Sequence, residues 1–129
     1  MEVAYSVRVV ALALDVPVKW IDNVLSHHEL RGVSRTTHGV PRQLDDVALL
    51  SLALCRLLAV TTGMPIANAA SLARAVVESG GRVTVAPGIA FEVALDEMRR
   101  RLHARAIDAA EAVSHVRRGR PPRQRAAIE

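Results

Sequence analysis

The chain has few aromatic residues and no long apolar run. One Phe, one Trp and one Tyr occur in 129 residues, although half of the chain is apolar, and most of these residues are Ala, Val and Leu. Ala and Leu favour helices, which predicts a mainly α fold. No apolar run approaches the length that spans a bilayer. The apolar N-terminus lacks the basic start and the cleavage site of a signal peptide, so we expect a cytoplasmic protein with no membrane partner.

A single cysteine excludes a disulfide framework and a Cys-based metal site. Cys55 stands in "LLSLALCRLL" and is expected in the core. His27 and His28 are adjacent, so on a helix their side chains point about 100° apart and would not share a metal ion. The sequence also has no phosphate loop, no nucleophile elbow and no metal-ligand spacing. We therefore expect no metal, no cofactor and no enzymatic activity.

Acidic residues are rare in one stretch in particular, the arginine-rich end of the chain. Residues 1–116 hold twelve basic and twelve acidic residues, whereas residues 117–129 hold five arginines and one acid. The formal net charge of +4 is therefore that of the last thirteen residues. A neutral globule with a basic tail suggests a polyanionic partner, and double-stranded DNA is the partner we expect.

The apolar spacing predicts five helices and two hairpins. Ser6 can cap the first helix, and Pro17 suits the start of a second one. Further elements are expected in this order: a small hairpin or ordered loop in "LRGVSRTTHGVPRQL", a helix from Asp46 to about Val60, a helix from Met64 to about Ser79, a second hairpin in "RVTVAPGIAFEV" with its turn at Pro87-Gly88, and a long helix from about Ala94 to Val116. The predicted regions are 1–80, 81–116 and a disordered tail at 117–129.

The first part of this plan resembles the DNA-binding domain of the MerR family. The matching segments are Tyr5 to Leu14, then "VPVKWIDNVL", "GVPRQLDDVALL" and "GMPIANAASLARAV". The resemblance implies a winged helix-turn-helix followed by a helical hairpin, and a transcriptional regulator as the function. The sequence departs from the family at Asp22, where the family has a basic residue in the recognition helix. The sensing domains of that family have no counterpart here, so no effector ligand is expected.

The candidate DNA-binding residues fall into three groups. A recognition helix presents its outer side chains to base edges in the major groove, whereas wing and tail residues contact phosphates. Trp20 is expected to wedge the recognition helix against the wing. The candidates are Lys19, Asn23, Ser26 and His27 on the recognition helix; Arg31, Arg35, His38 and Arg42 on the wing; and Arg117, Arg118, Arg120, Arg123 and Arg125 in the tail.

The tail also contains "RGRP" at Arg118 to Pro121, which resembles the core of an AT-hook. In that motif two arginines enter a narrow A·T minor groove, where the negative potential is concentrated. A basic end that only keeps the chain soluble is the simpler alternative.

The last predicted helix has an apolar stripe at steps of three and four, which keeps it on one face. This stripe predicts a homodimer or a binding surface for a protein partner, and the same pattern would fit a helix that fills its own core. Its residues are Leu95, Met98, Leu102, Ala106, Ala109, Val113 and Val116.

Three functions remain open at this point. The first is a sequence-specific transcriptional regulator. The second is an antitoxin whose last helix and tail bind a co-encoded toxin while DNA binding autoregulates the pair. The third is an architectural or recombination-accessory protein that bends DNA with little sequence preference. The two short helices could also be ordinary core helices with no contact to DNA.

Overall fold

The computed structural model describes residues 3–34 and 42–119, with side chains as far as residue 114. Within these ranges the protein is mainly helical with two small antiparallel sheets, which confirms the predicted class at that level. The elements are β1 (Tyr5–Ser6), α1 (Val7–Leu14), α2 (Val18–His27), β2 (Val33–Ser34), β3 (Gln43–Leu44), α3 (Asp46–Thr62), α4 (Ile66–Glu78), β4 (Arg82–Ala86), β5 (Ile89–Glu92) and α5 (Leu95–Gly119).

Local capping explains where the first and third helices begin. The Ser6 hydroxyl accepts a hydrogen bond from the Val9 amide at 3.2 Å, as the sequence predicted. The Asp45 carboxylate accepts one from the Ala48 amide at 3.0 Å. Each cap satisfies an amide that has no partner within its helix. Gly63 ends α3 in the left-handed conformation at φ +73°, which glycine adopts without strain.

The first sheet brings the two ends of the N-terminal region together. Its strand order is β1-β3-β2, with both neighbours antiparallel to β3. Leu44 is opposite Tyr5 on one side and Val33 on the other. The predicted first hairpin is therefore present as β2 and β3, while the residues that connect them, 35–41, lie outside the described part of the chain.

Helix α3 is the centre of the core. Every residue from Ala48 to Cys55 is buried, including Ser51. A helix that is buried all round needs neighbours on every side. Helices α4 and α5 both pack against it, and β3 contacts it near its start. The burial of Cys55 confirms its expected place in the core and raises the pKa of its thiol.

Helix α5 packs mainly against α1 and also against α3. Buried residues of α5 and of the N-terminal region belong to one hydrophobic cluster, so a single core spans both predicted regions. The helix continues to Gly119, three residues beyond the predicted end. The backbone of residues 117–119 is helical, whereas the sequence predicted a disordered tail from residue 117.

Three polar side chains connect β1, α3 and α5. The buried Tyr5 hydroxyl donates to the Asp46 carboxylate at 2.7 Å. Because a phenol has one proton, its oxygen accepts from His103 Nδ1, which is 2.9 Å away. His103 Nδ1 is also 3.3 Å from the same carboxylate oxygen. Burial, followed by the contact with Asp46, raises the pKa of Tyr5 above its usual value, so the phenol is protonated in the folded chain.

The second hairpin has the predicted place and turn. β4 and β5 pair from Arg82 opposite Glu92 to Ala86 opposite Ile89, with an irregularity between Thr84 and Ala86. Its outer half is exposed, whereas Val83 and Phe91 are partly buried against the core.

The central position of α3 makes a direct prediction about stability. Leu52→Ala should lower the free energy of unfolding by about 2–5 kcal/mol, because it leaves a cavity in the middle of the core. Leu57→Ala, on the same helix but 55% exposed, should lower it by less than about 0.5 kcal/mol. Urea denaturation of both variants measures the difference. Similar losses in the two variants would show that α3 is not buried as described.

Candidate nucleic-acid interface

Helix α2 presents a polar face to solvent. Pro17 precedes it in an extended conformation, with φ −66° and ψ 146°, and its fixed φ suits a helix start. Ile21 and Val24 are buried and hold the helix on the core. All four residues predicted for the recognition helix are exposed: Lys19, Asn23, Ser26 and His27.

A hydrogen bond within α2 orients one of these four side chains. His27 Nδ1 is 2.9 Å from the Asn23 carbonyl oxygen. A carbonyl can only accept, so Nδ1 carries the proton and Nε2 is left to bind an external group. Neutral His27 therefore offers an acceptor at Nε2, whereas protonated His27 offers a donor.

The hairpin and α2 are joined by an ion pair that the sequence did not predict. Arg42 Nη1 is 3.7 Å from Asp22 Oδ1, and both side chains are partly exposed. Arg42 precedes β3, while Asp22 lies on the exposed side of α2. The pair brings the base of the hairpin next to α2 and partly offsets the charge that Arg42 would offer to a phosphate.

The predicted wing residues are not all on the hairpin. Arg35 and His38 lie outside the described residues. Arg31 is exposed, but its Nε is 3.1 Å from Glu78 Oε2 at the end of α4. Arg74 binds the same oxygen at 3.0 Å and, with Arg31, holds the pKa of Glu78 below its usual value. Arg31 lies two residues before β2, and its guanidinium contacts α4, so its role on or near a wing stays a prediction.

A cleft separates the end of α2 from the hairpin. Leucine and valine side chains form its floor, and His28, Ser34 and Arg42 are among its polar walls. His28 is half-buried here. The full lining is Leu25, His28, Glu29, Leu30, Val33, Ser34 and Arg42.

Trp20 contacts α3 through a cation–π interaction. The ring is partly buried, and the Arg56 guanidinium carbon is 5.3 Å from its centroid. Arg56 belongs to α3, so the ring braces α2 against the central helix. The expectation that Trp20 wedges α2 against the wing stays a prediction, because residues 35–41 lie outside the described part of the chain.

The predicted dimer stripe is occupied by the chain's own core. Leu95, Leu102, Ala106 and Ala109 are buried, and Met98 and Val113 are partly buried against the same cluster. Apolar side chains that already pack on α1 and α3 are not free to meet a second chain. The stripe therefore fits the alternative of a helix that fills its own core, and a dimer or partner surface on it stays a prediction.

The five tail arginines lie on both sides of Gly119, the last residue that the structure describes. Arg117 and Arg118 belong to the last turns of α5 by their backbone. Arg120, Arg123 and Arg125 lie outside the described residues, so the AT-hook resemblance stays a prediction.

The geometry of the hairpin base depends on one glycine. Gly32 has φ +86°, and an added Cβ would press on the Asp45 carboxylate and lie 2.9 Å from the Ala48 amide nitrogen. Gly63 also has a positive φ, but an added Cβ there meets no atom within 4 Å. Gly63→Ala should cost about 1–2 kcal/mol from the left-handed backbone alone.

Gly32→Ala should cost clearly more than its matched control Gly63→Ala, because it also displaces the cap of α3. Thermal melting of both variants checks the order. Equal losses would show that the hairpin base does not touch the α3 cap.

Comparisons with known proteins give no relative. No family model matches the chain, and neither a curated protein nor a solved structure matches it. In residues 3–34 and 42–119, no helix has the length and apolar character needed to cross a bilayer. The same part of the chain contains no group of three or more His, Cys, Asp or Glu side chains placed to hold a metal ion.

Proposed function

We propose that this protein is a DNA-binding transcriptional regulator of the winged helix-turn-helix type. The observation that carries the proposal is the exposed polar face of α2 beside the β2–β3 hairpin, both fixed on one core. In the proposed complex α2 enters the major groove of DNA, and the hairpin lies over the adjacent sugar-phosphate backbone. The three-stranded order β1-β3-β2 supports the proposal, since it anchors the hairpin next to α1 and α2.

The side chains on α2 suit base recognition. Asn23 can form two hydrogen bonds with adenine, and Lys19 can reach a guanine or a phosphate. His27 Nε2 is left for an external partner by the bond at Nδ1. The Ser26 hydroxyl can donate a hydrogen bond to an acceptor on a base edge, or accept one from a donor there.

Electrostatic attraction to DNA is expected from a part of the chain other than α2. The first 116 residues are balanced in charge, and on α2 itself the exposed Lys19 stands near the exposed Asp22. Asp22 repels phosphates unless its charge is offset, and Arg42 is close enough to offset it. We therefore propose that α2 selects the sequence while the arginines of residues 117–129 supply most of the affinity.

The two other candidate functions, an architectural protein and an antitoxin, fit the structure to different degrees. An architectural protein also fits a neutral body with a basic end, because such binding depends on the backbone of DNA. An antitoxin would need a toxin-binding surface other than the stripe of α5, which packs on its own core. The affinity for a selected site relative to random duplexes distinguishes the regulator from the architectural protein.

Asn23→Ala tests the role of α2. A site is first selected from random duplexes with the full chain. The substitution should lower discrimination between that site and a random duplex by about 1–3 kcal/mol while leaving random binding nearly unchanged. Fluorescence anisotropy at constant salt measures both affinities.

Arg42→Ala is the matched comparison. A phosphate contact carries no base information, so this variant should weaken the selected and the random duplex about equally. If Asn23→Ala and Arg42→Ala have the same effect on both duplexes, α2 does not read the sequence and the proposal fails.

Removal of residues 120–129 tests the role of the tail. It deletes three arginines, and each phosphate contact contributes about −0.9 to the slope of log affinity against log salt. The slope should therefore flatten by up to about 2.7 units, while the melting temperature stays close to that of the full chain. An unchanged slope would show that these arginines do not contact DNA and would favour an acidic protein as their partner.

A further inference from the structure

The cleft between the end of α2 and the β2–β3 hairpin has the size of a site for a small molecule. Its volume is about 200 Å³. Sites for drug-sized ligands begin at about 300 Å³, so an occupant of this cleft has to be smaller than such a ligand. The walls come from α2, β2 and the segment between them, which the core holds in place. The site is therefore formed before a ligand arrives.

The floor of the cleft favours an apolar group. Leu25 and Val33 are partly buried against the hydrophobic core, and Leu30 is itself part of it at 8% exposure. The floor is thus a continuation of the core surface. An apolar chain that lies on it is removed from water together with the floor, which favours binding.

Arg42 provides a cation in the wall of the cleft. Its side chain is 33% exposed, so the guanidinium is partly removed from water. The Nη1 atom is 3.7 Å from Asp22 Oδ1, which is longer than a hydrogen bond. Asp22 therefore offsets the charge of Arg42 without using its N–H donors. A carboxylate in the cleft can accept two parallel hydrogen bonds from a guanidinium.

Three other polar residues of the lining bear on the charge of the ligand. Ser34 and His28 line the cleft with Arg42, and a hydroxyl and an imidazole can each donate a hydrogen bond to an anion. Glu29 also lines the cleft and opposes an anion. Glu29 is exposed, however, so water and salt screen its charge more strongly than that of the partly buried Arg42. The lining therefore favours an anion over a cation.

We propose that this cleft binds a small monocarboxylate with an apolar tail. The carboxylate pairs with Arg42, and the tail covers the floor. The ligand competes with Asp22 for the same guanidinium, so binding leaves Asp22 on α2 without the cation that offsets its charge. Ligand binding is independent of the proposed function, whereas its consequence rests on that function: an uncompensated Asp22 repels phosphates, so the ligand weakens DNA binding.

Titration of the full chain with pentanoate, without DNA and near neutral pH, tests the binding directly. The amide NMR signals of Leu30, Val33 and Ser34 report occupation of the cleft. We expect a dissociation constant on the order of 1 mM, because so small a ligand makes few contacts. Pentanol lacks the charge and acetate lacks the tail, so each should bind about tenfold or more weakly. Pentylammonium should leave these signals unshifted.

Two substitutions should change the affinity for pentanoate in opposite directions. Arg42→Gln should weaken it about tenfold, because hydrogen bonds to a charged group are lost. Asp22→Asn removes the competing acid and should strengthen it roughly two- to fivefold, the range of a partly exposed ion pair. Asp108→Asn is the matched control. It removes the same charge from the groove between α1 and α5, and it should leave the affinity unchanged.

Three results would overturn the proposal. The first is a titration with pentanoate that leaves the three amide signals unshifted. The second is pentanol that binds as tightly as pentanoate. The third is an Asp22→Asn variant that binds pentanoate no better than Asp108→Asn does. Thermal melting of each variant shows that it is folded, so a lost affinity is not a lost fold.

Fluorescence anisotropy with the selected duplex measures the consequence for DNA. Pentanoate should weaken the binding of the wild-type chain and leave that of Arg42→Gln unchanged. A chain that takes up pentanoate but binds no DNA would overturn the proposed function and leave the carboxylate site standing. A chain that binds both, with neither affecting the other, would overturn the competition between the ligand and Asp22.

Discussion

The structure depends on the complete burial of the first half of α3. Eight consecutive residues, from Ala48 to Cys55, are removed from water on all sides of the helix. Such a helix cannot lie on a surface, so other elements have to cover it. Helix α4 supplies one cover, α5 supplies another, and the sheet closes the end at which Asp45 caps α3. The arrangement of the whole chain follows from this requirement.

This requirement explains why the positions of helices and strands were easier to predict from the sequence than the contacts between them. The Ser6 cap, the turn at Pro87-Gly88 and the long last helix depend on residues close together in the chain, and all were predictable. The apolar stripe of α5 was equally clear, but a stripe shows only that a face is covered. Whether α1 and α3 or a second chain covers it depends on how much apolar surface α3 exposes, which periodicity does not reveal.

The polar contacts of the candidate interface were harder to predict for a different reason. Arg31 and Glu78 are 47 positions apart, and Arg42 and Asp22 are 20 apart, yet each pair is in contact. Long charged side chains find partners that only the folded chain brings near them. The sequence indicated that Asp22 was unusual on a recognition helix, which was the available indication of a nearby cation. It gave no comparable indication for Arg31, whose position in an acid-free segment suggested a free guanidinium.

The network of Tyr5, Asp46 and His103 connects the first sheet to α3 and α5. Tyr5 belongs to β1, which pairs with β3, and β3 begins next to Arg42 at the base of the hairpin. His103 lies on α5, and Asp46 begins α3. One phenol proton and one imidazole nitrogen hold these elements on the same carboxylate, where the burial of Tyr5 makes an unpaired hydroxyl costly. The position of the hairpin beside α2 therefore depends on the docking of α5, although the two are far apart in the sequence.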